Sequence, residues 1–181
     1  MKVDIFDTDK KYNIIYADPP WSYKDKAHAG NRGAEYKYQC MELKDILNLP
    51  IPKLCREDCI LFLWVTFPML KEGLQCMKDW GFSYKTIGFT WVKKNKKSDS
   101  LFWGMGNWTR SNAEICLIGI KGKPKRIAAN VHSVVMTPIE QHSKKPDEVR
   151  KRIVQLCGDI PRIELFARQY ADGWDCWGNE V

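Results

Sequence analysis

The sequence is poor in histidine and lacks the cysteine spacing of zinc sites. Three histidines and seven cysteines occur among 181 residues, and no CxxC pair is present. His28, His132 and His142 stand at no metal-ligand spacing from the cysteines, so no metal is expected. An odd number of cysteines, several of them within apolar runs, predicts reduced thiols and a cytoplasmic protein.

Long apolar runs are missing as well. The longest charge-free apolar run is 59–70, which Pro68 interrupts, whereas a membrane-spanning helix needs about 20 residues. The opening residues, MKVDIFDTDKKY, are too charged for a signal peptide. No internal repeat or domain boundary is visible. These absences predict a single domain over residues 1–181 and no membrane partner.

The positive charge of the chain is concentrated in one segment. The formal net charge is +7, and residues 85–126 hold ten basic residues against two acidic ones. The remaining residues are close to balanced. Such a segment favours a polyanionic partner, although a solvated basic face would give the same count.

Short apolar runs alternate with helical patterns along the chain. Most of the apolar runs lack alternation, which is typical of strands buried on both faces. The predicted strands are 12–17, 59–65, 84–92, 113–120, 162–166 and 174–177, and the predicted helices are 41–49, 69–80 and 146–156. This order predicts an α/β protein with a mainly parallel sheet flanked by helices.

The tetrapeptide Asp18-Pro19-Pro20-Trp21 directly follows the first apolar strand. Ligands of open α/β sheets bind beyond the carboxyl ends of the strands. Two prolines fix the backbone there and provide carbonyl acceptors without N–H donors. The Asp18 carboxylate, the Pro19 carbonyl and an aromatic plate at Trp21 would suit an amino group on a planar heterocycle. A plain turn at the end of a strand is the structural alternative.

DPPW after an apolar strand resembles the signature of the adenine-N6 methyltransferases related to the seventy-kilodalton N6-adenosine methyltransferase subunit. Three further segments resemble the family in its own order. They are 109–124 (TRSNAEICLIGIKGKP), 142–148 (HSKKPDE), and 164–168 with 173–181 (ELFAR and GWDCWGNEV). The resemblance covers residues 12–181.

This resemblance implies a Rossmann-like methyltransferase fold with permuted motif order, in which the catalytic DPPW strand comes first and the cofactor-binding strand comes last. It also implies S-adenosylmethionine as the methyl donor. The permuted order would explain why no G-x-G-x-x-G follows the first strand. Gly104 and Gly106 are interpreted as sources of loop flexibility, not as a phosphate cradle.

The resemblance further implies roles for individual residues. Catalysis would involve Asp18, Pro19, Pro20 and Trp21. The cofactor would be bound by Asp18, Lys145, Glu164, Leu165, Phe166, Arg168, Asn179 and Glu180. Without the resemblance, Lys145 would be taken for a solvated lysine, Phe166 for a core residue, and Asn179 and Glu180 for a frayed terminus. Glu164 could support the site or face solvent.

The polar segment 93–112 is the predicted nucleic-acid-binding loop. Lysines bind phosphates without reading sequence, while aromatic, amide and guanidinium groups stack on bases or bond to them. The candidate contacts are Lys93, Lys94, Lys96, Lys97, Trp103, Asn107 and Arg110. The alternative is a mobile, solvated loop with two tryptophans tucked into the core. Neutralising the four lysines is expected to weaken nucleic-acid binding and leave cofactor binding nearly unchanged.

The sequence therefore predicts an S-adenosylmethionine-dependent enzyme that methylates the N6 amine of adenine in DNA. The absence of appended RNA-binding modules favours DNA. Two alternatives stay open: the same reaction on RNA, and a non-catalytic nucleic-acid-binding subunit of a methyltransferase complex. A homodimer is possible.

Overall fold

The computed structural model describes residues 1–22, 41–106, 108–140 and 144–181. The described chain forms one seven-stranded sheet flanked by helices. The strands are β1 (Tyr12–Ala17), β2 (Cys55–Val65), β3 (Ser83–Lys94), β4 (Ala113–Lys121), β5 (Val134–Pro138), β6 (Arg162–Leu165) and β7 (Asp175–Trp177). The helices are α1 (Leu43–Leu47), α2 (Ile51–Leu54), α3 (Leu70–Asp79) and α4 (Asp147–Cys157), with a 3₁₀ turn at Phe67–Met69.

The strand order in the sheet is β5-β3-β4-β2-β1-β6-β7. β1 pairs in parallel with β2 and β6, and β6 pairs in parallel with β7. β4 runs antiparallel to both β2 and β3, and β5 is parallel to β3. The sheet is therefore mainly parallel. The first strand of the chain lies beside the late strands β6 and β7, as the permuted Rossmann-like order requires.

Each face of the sheet carries its own apolar core. On one face Ile46 of α1, Leu54 of α2 and Met77 of α3 pack against Leu61 and Leu63 of β2. On the opposite face Val149 and Ile153 of α4 pack against Phe62, Trp64 and Phe89. Adjacent residues of β2 thus serve opposite cores, which explains the unbroken apolar run 59–65.

The structure departs from the predicted elements in several places. No predicted helix covers α2, and β2 begins at Cys55 instead of 59. β5 was not predicted, because only Val135 of its five residues is buried and its burial pattern is that of an edge strand. β3 continues through Lys93 and Lys94, so the predicted loop 93–112 begins with two strand residues. Main-chain bonds from Phe102 to Lys93 and from Lys93 to Asn112 then fix the base of that loop.

The topology brings functional segments to one edge of the sheet. The carboxyl ends of β1, β2, β6 and β7 meet there, because these strands are mutually parallel. The antiparallel register of β4 pairs Val65 with Ile115 and Trp91 with Glu114, so the start of β4 and the end of β3 lie at the same edge. Lys121 pairs with Cys59 at the opposite edge.

The six cysteines within the described ranges are buried and unbridged, as expected for reduced thiols, and Cys40 lies outside those ranges. No helix of the described residues has the length and apolar character that crossing a bilayer demands.

Candidate active site

Asp18 lies immediately after β1, beside a cavity of about 520 Å³ at the carboxyl edge of the sheet. The cavity is bounded by α1 on one side and by the segments that follow β6 and β7 on the other. Its walls combine carboxylate, amide, guanidinium and aromatic side chains with small and apolar residues: Asp18, Pro20, Met41, Glu42, Asp45, Phe166, Ala167, Arg168, Trp177, Gly178, Asn179 and Glu180. This is the position in which open α/β sheets bind ligands.

A row of alternating charges runs inward from Asp18. Lys145 Nζ lies 2.9 Å from Asp18 Oδ2 and 3.1 Å from Glu114 Oε2, and Lys93 Nζ lies 2.5 Å from Glu114 Oε1. The side chains of Lys145 and Glu114 are only 10% and 13% exposed. The Lys145 ammonium also lies 5.6 Å from the centre of the Trp64 ring. Lys145 is therefore a buried member of the site, and the solvated-lysine interpretation is wrong.

The electrostatics of this row follow from burial and charge pairing. Burial raises the pKa of Asp18 above its ordinary value, and the Lys145 cation opposes the rise. Burial acts in the same direction on Glu114, but Lys145 and Lys93 outweigh it and hold the pKa of Glu114 at about 2. The two carboxylates raise the pKa of Lys145 despite its burial. Asp18 thus faces a permanent cation and is the carboxyl group in the row that is closest to accepting a proton.

The DPPW corner is built differently from the expectation in one respect. The Trp21 side chain is buried, and its indole N–H donates a hydrogen bond to the Trp64 carbonyl at 3.0 Å. The prediction that the Trp21 ring stacks on a bound heterocycle is therefore wrong, because this ring is buried and attaches the DPPW segment to β2. The Pro19 carbonyl accepts the Trp21 N–H at 2.8 Å, and the Pro20 carbonyl accepts the Met41 N–H at 3.1 Å.

Five of the predicted cofactor residues line the cavity together: Asp18, Phe166, Arg168, Asn179 and Glu180. Arg168 Nε lies 3.5 Å from Glu180 Oε1, which joins the segments after β6 and β7. A side chain at Gly178 would bring its Cβ within 2.2 Å of the Ala167 carbonyl oxygen, so glycine permits this close approach. Asn179 and Glu180 line the cavity although both are exposed, and their contact with a cofactor stays a prediction.

Phe166 has a positive φ of 60°, which is unfavourable for a residue with a Cβ. Its ring packs edge-on against Trp177 at 5.2 Å between centroids. The left-handed conformation turns the chain out of β6, so Phe166 lines the cavity instead of continuing the strand. Strained backbone of this kind is concentrated at functional sites.

Leu165 does not have the predicted position on the cavity wall, and Glu164 lies behind that wall. The Leu165 side chain is fully buried in the core, so its assignment to the cofactor surface is wrong. Glu164 is 7% exposed and does not face solvent. Both of its carboxylate oxygens accept hydrogen bonds from Arg150, at 2.6 and 2.7 Å. Glu164 lies in a smaller recess beside the cavity, between Asp18 and α4, where it supports the site.

The loop between β3 and β4 exposes some of the predicted nucleic-acid contacts and pairs others. Lys96, Lys97 and Arg110 are exposed. The Trp103 side chain is 63% exposed and that of Trp108 is 99% exposed, so the alternative that tucks both tryptophans into the core is wrong. Asn107 and the histidine of the HSKKPDE segment, His142, lie outside the described residues.

The first two lysines of the segment are already engaged with carboxylates. Lys93 belongs to the buried row through Glu114, and Lys94 pairs with the exposed Asp99. Treating all four lysines as equivalent phosphate contacts is therefore wrong. Replacing Lys93 would disturb the active-site charges, so only Lys96 and Lys97 are suited to a test of nucleic-acid binding alone.

Sequence reasoning missed Glu114, Arg150 and Asp45. Glu114 is the single acidic residue within an otherwise apolar strand, which is a recognisable signal of a buried functional charge. Arg150 and Asp45 lie on helices in ordinary amphipathic patterns, so nothing in the sequence distinguished them from surface residues. Among the described residues, no group of three or more histidine, cysteine or acidic side chains is arranged to hold a metal ion.

Comparisons with known proteins agree with this geometry. The chain is 36% identical to the type II methyltransferase M.MunI of a Mycoplasma species, over 95% of this chain and 78% of that protein. It is 30% identical to the human N(6)-adenosine-methyltransferase catalytic subunit METTL3 and 31% identical to an Arabidopsis thaliana MT-A70-like protein, over 94% and 99% of this chain. It spans only about a quarter of the length of these two relatives, 28% and 25%. The MT-A70 family profile matches residues 12–180, and the chain belongs to this family of methyltransferases.

Proposed function

We propose that this protein transfers a methyl group from S-adenosylmethionine to the N6 amine of adenine in DNA. The observation that carries the proposal is the ion-paired Asp18 carboxylate, which lies at the wall of a ligand-sized cavity where β1, β6 and β7 end. Two further features support it: the methyltransferase family match and the 36% identity to M.MunI along most of both chains.

The donor set of the cavity fits S-adenosylmethionine. Asn179 and Glu180 present hydrogen-bonding groups that suit a ribose diol, and Phe166 offers an aromatic surface for the adenine ring. Asp18 provides a negative charge for the cationic end of the molecule. When bound, S-adenosylmethionine supplies an electrophilic methyl group. Lys145 holds Asp18 in place and does not need to contact the cofactor for this role.

Asp18 and the Pro19 carbonyl have the chemistry to prepare the target amine. The lone pair of the adenine amine is delocalised into the ring, which makes it a poor nucleophile. Two acceptors that bond its hydrogens favour the pyramidal, nucleophilic form. Asp18 Oδ2 already accepts from Lys145, so we assign Oδ1 to the amine. Because burial raises the pKa of Asp18, this carboxylate is suited to take the proton that the amine must lose.

The proposed substrate reaches the cavity as a displaced base. Adenine N6 lies within the base stack of a duplex, so the enzyme must flip the base or act on a single strand. The exposed Trp103 and Trp108 offer stacking surfaces, and Lys96, Lys97 and Arg110 offer phosphate contacts beside them.

Transfer of labelled methyl groups tests this proposal directly. Duplex DNA, single-stranded DNA and RNA of matched sequence are incubated with the protein and labelled S-adenosylmethionine, and the modified base is mapped. We expect label on the N6 amine of adenine in DNA. Label on cytosine, or no label on any substrate, would contradict the proposal.

RNA is the second candidate substrate, because several relatives are named as N(6)-adenosine-methyltransferases. Those relatives match over only 25–28% of their own length, whereas M.MunI matches over 78%. Label on RNA alone would establish this alternative. Binding of RNA or DNA with no methyl transfer would instead favour the non-catalytic subunit.

Replacing Lys96 and Lys97 with glutamine is expected to weaken nucleic-acid binding and leave cofactor binding unchanged. Both lysines are exposed, and within the described ranges neither forms an ion pair. Loss of two phosphate contacts should reduce the slope of log affinity against log salt by about two on duplex DNA. Fluorescence anisotropy at several salt concentrations measures this slope.

The matched control replaces Lys123 and Lys125, which are exposed beyond the other end of β4. It removes the same charge from the opposite edge of the sheet. An equal loss of affinity in this control would show that net charge, and not the loop, governs binding.

A further inference from the structure

Arg150 and Glu164 form a buried ion pair beside the candidate active site. Arg150 Nε and Nη2 donate to the two carboxylate oxygens of Glu164 at 2.6 and 2.7 Å. The two side chains are 11% and 9% exposed. The Arg150 guanidinium also lies 5.9 Å from the centre of the Tyr16 ring. The pair lines the recess that adjoins Asp18 and Lys145, so it is close to the proposed chemistry without being part of it.

Arg150 also supports the segment that follows β6. Its Nη1 bonds Asp147 Oδ1, and the same oxygen accepts the Gln169 side-chain amide at 3.0 Å. Gln169 directly follows Arg168, which lines the cavity. One arginine thus connects the first turn of α4 with Glu164 on β6 and, through Asp147, with the segment 166–169. A guanidinium that donates two hydrogen bonds to one carboxylate fixes the relative positions of the two side chains.

We propose that Arg150 is a positioning residue for methyl transfer, which holds the Glu164 carboxylate through two hydrogen bonds and keeps the segment 166–169 in place at the cofactor cavity. This inference rests on the proposed function. Arg150 acts through Glu164 and Asp147, and it is assigned no contact with the cofactor or the nucleic acid.

The charges around Glu164 show why a cation is needed. Burial raises the pKa of Glu164, Arg150 opposes the rise, and Asp18 and Asp147 add to it. The groups that face Glu164 come from three neighbouring elements: Tyr16 and Asp18 from β1 and its end, Asp147 and Arg150 from α4, and Cys176 from β7. Without Arg150, Glu164 and Asp18 would be buried carboxyl groups competing for a proton next to the reacting amine.

The experiment compares R150M, R150K, E164Q and the double variant R150M/E164Q with the wild type. Affinity for S-adenosylhomocysteine is measured by calorimetry, and kcat/KM for methyl transfer is measured as a function of pH. We expect R150M to lower kcat/KM by between about 10-fold and 100-fold, because the cavity wall is displaced. The acidic limb of the kcat/KM profile of R150M should move to higher pH, because the pKa of Glu164 rises further when the Arg150 cation is removed.

The double variant separates positioning from a purely structural role. Glutamine does not titrate, so R150M/E164Q should lack the displaced acidic limb of R150M while keeping part of its loss in kcat/KM. R150K retains the positive charge but cannot donate two parallel hydrogen bonds to Glu164. We therefore expect an affinity for S-adenosylhomocysteine between those of R150M and the wild type, and an unshifted acidic limb in the pH profile. Should R150M fail to fold, R150K carries the test through its affinity for S-adenosylhomocysteine, and wild-type affinity in R150K would then overturn the role of Arg150.

Arg152 supplies the matched control. It is on the same helix and pairs with Glu148 at 3.0 Å, away from the cavity. R152M should retain the cofactor affinity and pH profile of the wild type. Wild-type affinity and an unshifted profile in both R150M and R150K would overturn the role of Arg150 while leaving the proposed function intact. A wild-type protein that neither binds the cofactor nor transfers methyl groups would overturn both.

Discussion

Replacing Asp18 with asparagine is expected to lower the rate of methyl transfer by about 1,000-fold or more. The variant keeps the shape of the side chain but loses the negative charge and the ability to take a proton. General-base and preorganised electrostatic effects of this kind each contribute roughly 100-fold or more. The measurement is single-turnover transfer of labelled methyl groups, with nucleic acid and cofactor at saturating concentration.

The fold of the Asp18→Asn variant should be retained. Lys145 keeps its second carboxylate partner, Glu114, at 3.1 Å, so no buried cation is left without an anion. We expect the circular dichroism spectrum and the thermal unfolding midpoint of the variant to match those of the wild type. Asp159→Asn is the matched control, because the exposed Asp159 pairs with Arg162 at the start of β6, away from the cavity, and its replacement should leave transfer unchanged. Near-normal turnover by Asp18→Asn would contradict the mechanism.

Replacing Lys145 with methionine is expected to destabilise the protein by about 3–5 kcal/mol and to abolish methyl transfer. Lys145 stands between the partly buried carboxylate of Asp18 and the buried carboxylate of Glu114, at 2.9 and 3.1 Å. Removal of one partner from a buried ion pair leaves an uncompensated charge, which accounts for the size of the effect. Urea denaturation measures the free energy of unfolding, and the transfer assay measures the activity.

The pH dependence of stability should change in this variant. In the wild type the pKa of Glu114 is lowered to about 2, so its contribution is present above the ordinary pKa and is lost as the pH falls toward about 2. In Lys145→Met, Glu114 keeps its contact with Lys93 at 2.5 Å, whereas Asp18 loses its neighbouring cation and its pKa rises further. The protonated form of Asp18 then favours folding, so its contribution to stability is present at acidic pH and falls as the pH increases.

Two variants control for this prediction. Lys145→Met combined with Glu114→Gln removes the Glu114 charge that faces Asp18 and should recover part of the lost stability without recovering activity. Lys144→Met removes the neighbouring lysine, which pairs with the more exposed Glu140 and Asp147 and should cost less than about 1 kcal/mol. A Lys145→Met variant as stable as the wild type at neutral pH would show that the buried row is not formed in solution.

The alternation of apolar runs with helical patterns allowed the sequence to predict an α/β fold and six of the seven strands. The prediction succeeded where burial was extreme, as in the run 59–65, whose residues alternate between two apolar cores. It failed for β5, where only Val135 is buried. It did not specify the direction of β4, because an apolar strand reads the same in parallel and antiparallel pairing.

The DPPW corner and the C-terminal motif indicated where ligand chemistry is concentrated, because Asp18 and Glu180 belong to recognisable local patterns. The tertiary structure alone decided which charges meet. Asp18 and Lys145 are 127 residues apart in the chain, and Arg150 reaches Glu164 across the boundary between a helix and a strand. Local patterns report propensity and burial, whereas an ion pair depends on register and helix placement, and these are set by packing over the whole sheet. For the same reason the sequence prediction failed for Trp21 and Lys93. Trp21 was predicted to stack on a ligand but is bonded to β2, and Lys93 was predicted to contact phosphate but pairs with Glu114 in the buried row.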